Sequence, residues 1–365
     1  MSGQASVSAF DPAHLAEAVA DLVPDAVAAR WCGVDCSSHR PRLVTVSGAH
    51  GRITGLALIT SRPGTAAVKI VDALGDIAAV IAAVDAHARE IGAVAIKWEC
   101  WQPVEAVPGF AELTPPRLLG ADGPPAGRLR WLQSEPGRVP DRSGPVPGEP
   151  AGALREPGHY RQTTHFTCGA VCVSIAEALL GNLDPADFDQ RHELGLWREA
   201  TNILACDPVR LGHATLKRWP TSSVRVALDA HGPVLLDSYP ESDREWRRVL
   251  QQISLEEAVS DGLPVTDRRL NLPEIRTMIG QGHCLALLVS LETMMAVAAP
   301  HWILCHGTVP GAVVVEDPWV SADLGESWVD AHMMPIADAG LDEMSIMEDG
   351  RYRAAVIISQ PDSAA

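Results

Sequence analysis

His159-Tyr160-Arg161-Gln162-Thr163-Thr164-His165-Phe166-Thr167-Cys168-Gly169-Ala170-Val171-Cys172-Val173-Ser174-Ile175-Ala176-Glu177-Ala178-Leu179-Leu180-Gly181 is the stretch whose reading decides the fold. Turn-formers and threonines lead in. From Cys168 onward alanine, isoleucine and leucine recur at helical spacing until Gly181 closes the run. Cys168 therefore opens a predicted helix, where the helix dipole and unsatisfied N–H groups favour the thiolate over the thiol. Gln162 lies upstream on the incoming loop, placed for its amide to join the Cys168 backbone N–H in stabilising an oxyanion. A lone cysteine at this position reads more simply as a buried core thiol. Cys172 falls on the same helical face and is read that way.

Cys168 is not alone. Far downstream, Pro300-His301-Trp302-Ile303-Leu304-Cys305-His306-Gly307 and Val313-Val314-Val315-Glu316-Asp317-Pro318-Trp319 read as two buried strands joined by a Gly/Pro turn. Pairing as a hairpin brings His301 toward Asp317, the base and its orienter that a cysteine nucleophile needs. His306 abuts Gly307 and faces the other way along the strand, so His301 is the preferred base.

The order Gln162, Cys168-Gly169, His301-Trp302, Asp317-Pro318 resembles the papain-like peptidases that cleave double-glycine leaders from bacteriocins, together with their stand-alone relatives. It is most similar to a bacterial subgroup in which such a domain follows a GNAT-type acetyltransferase-like domain. Tyr160 to Thr164, Phe166 to Gly169 and Glu193 to Thr201 extend the match, which covers about residues 158 to 320. The resemblance implies Cys168 as nucleophile, His301 as base, Asp317 as orienter and Gln162 in the oxyanion hole. The leader peptidases usually carry Asp before the nucleophile, where this chain has Thr167, and are fused to membrane-spanning transporters. Leader cleavage coupled to export is therefore not carried over.

A chain of 365 residues, 47% hydrophobic, is long enough for two domains with sizeable cores. Its formal charge of −17 argues against a nucleic-acid or anionic-membrane surface. Neither a secretory signal nor a run of about eighteen apolar residues is visible. The cysteines show no disulfide pattern, and a cytoplasmic, reducing location is expected. Cys32 and Cys36 lack the second pair that a zinc site needs, so no metal and no cofactor are expected.

In the first half, a helix over Pro12 to Val23, strands Arg42 to Val46, Ile53 to Thr60 and Ala66 to Val71, a helix Asp76 to Ile91 and a strand Val94 to Glu99 give an order that resembles a GNAT-type core. That family grips the acetyl-CoA pyrophosphate at a Gly-rich turn. Here Val71-Asp72-Ala73-Leu74-Gly75-Asp76 presents one glycine and two acids, so residues 1–115 are read as a non-catalytic GNAT-like domain. Residues 116–157, rich in Pro and Gly, read as a linker with room for a short strand at Trp131 and Leu132, and 158–365 as the papain-like domain. In that domain helices Pro185 to Asn202, Arg210 to Trp219 and Glu245 to Ser260 are expected, with strands Val224 to Leu228 and Pro233 to Asp237. Glu193 and Glu199 are read as a solvated face. Helices first and an antiparallel sheet after give an α+β fold class.

The expected activity is attack by Cys168 on an amide or peptide carbonyl to form an acyl-thioester. Water makes this a cysteine peptidase or amidase, and an amine makes it an acyl or peptidyl transferase. A third alternative is a non-catalytic binding protein built from degenerate enzyme domains, motivated by Thr167 and the acidic turn. The partner is a peptide or amide-containing small molecule. Oligomeric state stays open.

Overall fold

The computed structural model describes residues 4–11, 19, 22–116, 125–132, 154–202, 204–230, 232–236, 239–348 and 350–361. Two seven-stranded sheets organise them. The first contains β1 (Gln4–Ala9), β2 (Arg42–Ser47), β3 (Ile53–Thr60), β4 (Ala67–Gly75), β5 (Ala95–Cys100), β6 (Ala111–Glu112) and β7 (Ala126–Trp131), in the order β1-β2-β3-β4-β5-β7-β6. Only β4 and β5 pair in parallel, so a crossover must join them, and the helix Ile77–Glu90 supplies it. That helix buries Val80, Ile81, Val84 and Ala88 on the sheet. The order of β2, β3, β4, the crossover helix and β5 is the one expected from the sequence.

The second sheet contains β8 (Ser223–Leu228), β9 (Val265–Thr266), β10 (Cys284–Ser290), β11 (Pro300–Val309), β12 (Ala312–Glu316), β13 (Met334–Ala337) and β14 (Ala354–Ser359), ordered β13-β12-β11-β10-β14-β8-β9. Against it packs the helix Cys168–Leu179, buried at every position from Cys168 to Glu177. An element apolar on all sides belongs in the middle of a core, and Cys172 joins it with its thiol on the Trp302 carbonyl at 3.3 Å.

Several expectations are corrected. The stretch expected as a linker carries β7, which pairs with β5 and β6 inside the first sheet. Its Gly127 is required there, because a Cβ would sit 2.6 Å from the Trp328 ring of the other lobe. Residues 117–124 and 133–153 of that stretch lie outside the described residues, as does most of the expected first helix. The helix expected over Pro185 to Asn202 is broken into a 3-10 turn, Pro185–Asp187, and a helix, Gln190–Glu199. Two aspartates compete to start it, and both cap: Asp184 on Ala186 N–H and Asp189 on His192 N–H. No strand forms over 233–236, where Leu235 has φ 60° and the Gln251 amide satisfies both backbone groups of Val234. A side chain has taken the place of a neighbouring strand.

The lobes share a core. Ala66, Val94, Leu113 and Leu129 of the first pack with Val314, Trp328, Val329 and Met333 of the second. Two of the chain's three lysines, Lys69, Lys97 and Lys217, are buried at this junction. Lys69 reaches Glu99 at 2.7 Å and Asp330 at 2.5 Å. Lys97 donates to the carbonyls of Val329, Asp330 and His332 at 2.8, 2.8 and 2.7 Å. Burial pushes Lys97 down to about 7. Three carbonyl acceptors nevertheless call for three N–H donors, which only the ammonium has, so we assign it as charged.

Candidate active site

The hairpin β11–β12 turns at Pro310-Gly311, with Gly311 at φ 77°. Leu304 opposes Glu316, so Asp317 leaves the ladder one step further on, diagonal to His301. His301 Nε2 lies 2.7 Å from Asp317 Oδ1. Because an ionised carboxylate only accepts, Nε2 carries the proton and Nδ1 is left for another partner. Cys168 is near enough for its sulfur to act on the imidazole. Burial alone would lower the His301 value, but the Asp317 carboxylate and the Cys168 sulfur more than offset it, and the imidazole is pushed up to about 10. Burial would likewise raise Asp317; His301 and Arg62 reverse this and hold it at about 2.

Cys168 reaches this position because Gly169 lets the helix start pack tightly: a Cβ there would lie 3.0 to 3.2 Å from Leu211, Trp302 and Cys206. Cys168 is 4% exposed, His301 4% and Asp317 0%, so the group sits beneath the surface, where charges interact strongly.

Gln162 is tied to the residue after Asp317, its backbone N–H on the Pro318 carbonyl at 2.9 Å. Its side-chain amide donates to Thr164 O at 2.6 Å, which uses one of two N–H groups. His165 rests against the Trp319 ring, 5.3 Å between centroids.

Three groups escaped the sequence reading. Glu193, expected on a solvated face, is fully buried and takes bonds from Tyr160, Thr163 and Thr167 on the loop that leads to Cys168. Thr167, at the departure from the leader-peptidase pattern, is thus bound to Glu193. The apolar spacing of Leu194 and Trp197 around Glu193 was the available signal. Arg62 lies in a loop of the first lobe, 3.0 Å from Asp317 Oδ2, and nothing in the sequence linked it to the site. Glu316, beside Asp317, accepts from His159 Nδ1 and His332 Nδ1 at 2.9 Å each. The nitrogen and oxygen atoms of these three lie within 4.8 Å of one another. Glu316 is held well below the usual carboxylate range: burial opposes this, but His332, His159 and His306 outweigh it. As an acceptor it requires a proton on each Nδ1, and those protons fill the space between the groups.

In the first lobe, the helix Ile77–Glu90 has its N-terminus occupied by its own cap, Asp76 Oδ1 on Ala79 N–H at 3.1 Å. Asp72 points elsewhere, to Arg30 at 2.8 Å and the Trp31 indole at 3.0 Å. Of the two acids expected at the anion mouth, one stands there.

A family model described as Peptidase_C39 like matches residues 157–359. No curated protein matches the chain. Among solved structures, the chain is similar to a GNAT-family acetyltransferase from Staphylococcus aureus Mu50, 10% identical with TM-score 0.24, covering 36% of this chain and 100% of that one. It is similar to a putative acyl-CoA N-acyltransferase from Klebsiella pneumoniae, 12% identical with TM-score 0.25, covering 35% and 97%. The ribosomal-protein-S18-alanine N-acetyltransferase from Escherichia coli is 12% identical with TM-score 0.23, covering 37% and 99%. Among the described residues, no helix is long and apolar enough to cross a membrane.

Proposed function

The chain belongs to the Peptidase_C39 like family, and from that premise we propose that it is a thiol enzyme acting on an amide or peptide carbonyl through an acyl-thioester on Cys168. With the imidazole raised to about 10, the thiol proton rests on His301 before the attack, and the sulfur adds to the carbonyl carbon beside the imidazolium. Asp317 holds the ring through Nε2–H and stabilises the imidazolium. The oxyanion accepts from the Cys168 backbone N–H and from the free N–H of the Gln162 amide. The imidazolium then protonates the leaving amine, and the thioester passes to water in a peptidase or amidase, or to an amine in a transferase. The observation that carries this reading is the single imidazole bonded through Nε2 to the buried Asp317 carboxylate, with the Cys168 sulfur near enough to raise it.

The same reading makes the first lobe a non-catalytic support. Its anion mouth is closed by Asp76, and its buried cations Arg62, Lys69 and Lys97 are spent on the second lobe.

The test is intact-mass and peptide mass spectrometry after brief exposure to iodoacetamide and to activated acyl donors at neutral pH. Cys32 is the internal control, being the exposed thiol. Burial raises Cys172, Cys206, Cys284 and Cys305, which makes them slow. Modification is expected at Cys168 ahead of Cys32 and absent in Cys168→Ala. Labelling confined to Cys32 would sink the proposal.

A further inference from the structure

We propose that Arg62, contributed by the first lobe and outside the residues matched by the family, is a positioning residue for the Asp317–His301 pair. The inference rests on the thiol reading above and adds that the site is composite: the papain-like lobe alone does not contain it whole.

Asp317 is fully buried, so each of its oxygens needs a partner. Oδ1 takes both the His301 ring, at 2.7 Å, and the Trp319 N–H, at 2.8 Å. Oδ2 faces the Arg62 Nη1 at 3.0 Å, an ion pair of opposite charges. The guanidinium is itself buried, and its Nε lies 3.1 Å from Glu326 Oε1. His39 reaches the same Glu326 oxygen at 3.2 Å.

The loop that carries Arg62 is fixed from the second lobe. Thr65 bridges Ile336, Ala66 N–H donates to Pro335 O at 2.8 Å, and Ala337 N–H donates to Gly64 O at 3.3 Å. In effect the β3–β4 loop extends the edge of the second sheet beside β13 and delivers one cation to the back of the carboxylate. Lys69 and Lys97 also cross the junction, but their partners are Glu99, Asp330 and carbonyls of 329–332. Arg62 is the junction cation seen against Asp317.

Removing it leaves a buried carboxylate with one oxygen facing no cation. Such a group either takes a proton or turns toward another donor. A protonated Asp317 no longer stabilises an imidazolium, and a rotated one no longer aligns it. The loss is then felt at Cys168, which Arg62 has no need to touch.

The experiment compares full-length Arg62→Gln, Arg62→Lys, Asp317→Asn and the double variant Arg62→Gln/Asp317→Asn. Its readout is the rate of Cys168 alkylation by iodoacetamide, with the melting temperature followed in parallel. Arg62→Gln and Asp317→Asn are each expected to slow Cys168 by about tenfold or more, with the double variant no slower than Asp317→Asn alone, because both changes act on one group. Arg62→Lys, which keeps the charge but lacks the fork that spans Asp317 and Glu326, is expected to recover most of the rate. Losses that multiply in the double variant, or an Arg62→Gln rate equal to wild type, overturn the proposal. If Arg62→Gln does not fold, Arg62→Gln/Glu326→Gln, which removes the buried cation together with its Glu326 partner and keeps Asp317, takes its place: a slowed Cys168 is expected, and a rate equal to wild type overturns the proposal. Failure of the thiol reading is separate, since it shows in the unsubstituted protein as no preference for Cys168 over Cys32.

Discussion

The Tyr160 hydroxyl donates to Glu193 Oε2 at 2.9 Å, and the same carboxylate collects the Thr163 N–H at 2.8 Å, the Thr163 hydroxyl at 2.9 Å and the Thr167 hydroxyl. One buried acid on the helix Gln190–Glu199 thus holds three points of the loop that ends at Cys168. Tyr160 is also stacked on Phe188 at 4.0 Å, so the loop is gripped on its apolar side as well.

Glu193→Gln keeps the volume but replaces an acceptor oxygen by a donor, leaving hydroxyl and N–H groups without a match. A loss of about 1–3 kcal/mol is expected. It should appear in urea unfolding together with slower alkylation of Cys168. An unchanged midpoint would argue that the loop is held by packing alone.

Stability should fall on the alkaline side. His332 contacts Glu316 at 2.9 Å through Nδ1 and Glu156 at 3.1 Å through Nε2. Burial works against its charge, but these carboxylates outweigh it and push the imidazole up from 6.5 to about 9. A raised folded value stabilises fully below the unfolded pKa and is lost as pH rises through the folded one. The stabilisation that disappears between pH 6.5 and 9 is therefore about 3 kcal/mol. His301 acts in the same direction at higher pH. Urea midpoints measured across this window should fall in the wild type, and His332→Gln should be less stable at pH 6 with a flatter slope. Equal slopes would remove His332 as the cause.

Gly127→Ala places a methyl 2.6 Å from Trp328 Cη2 and 2.9 Å from Cζ2. The indole is held by its N–H on Pro125 O at 3.0 Å and has little room to yield. Overpacking of this kind costs about 1–3 kcal/mol. The variant is expected to melt lower, whereas Gly158→Ala, with nothing within 4 Å, should not.

Titration calorimetry with acetyl-CoA should give no heat. A pyrophosphate approaching the helix Ile77–Glu90 meets the Asp76 carboxylate where it would need N–H groups, and Ala79 N–H is already taken. Binding that survives in the unsubstituted protein would restore the first lobe as a cofactor-binding domain.

Local and periodic features of this protein are legible in the chain. Helical spacing after Cys168, the Gly/Pro turn between two β-branched runs and the crossover helix Ile77–Glu90 each follow from signals a few residues long. For the same reason His301 and Asp317 could be set near one another: they belong to one hairpin, and its register links them. Cys168 was joined to them by resemblance to a family rather than by any local rule.

What the tertiary structure alone decided involves groups brought together across the chain. β7 reaches back from Trp131, where the sequence leaves room for a short strand, to Ala126 because β5 offers an open edge to pair with. Glu193 is buried because a loop thirty residues away carries donors that satisfy it. Arg62 meets Asp317 because two lobes dock, 255 positions apart in sequence. Charge burial is decided by the partner, and a partner supplied by a distant segment leaves no periodicity or spacing for the sequence to reveal.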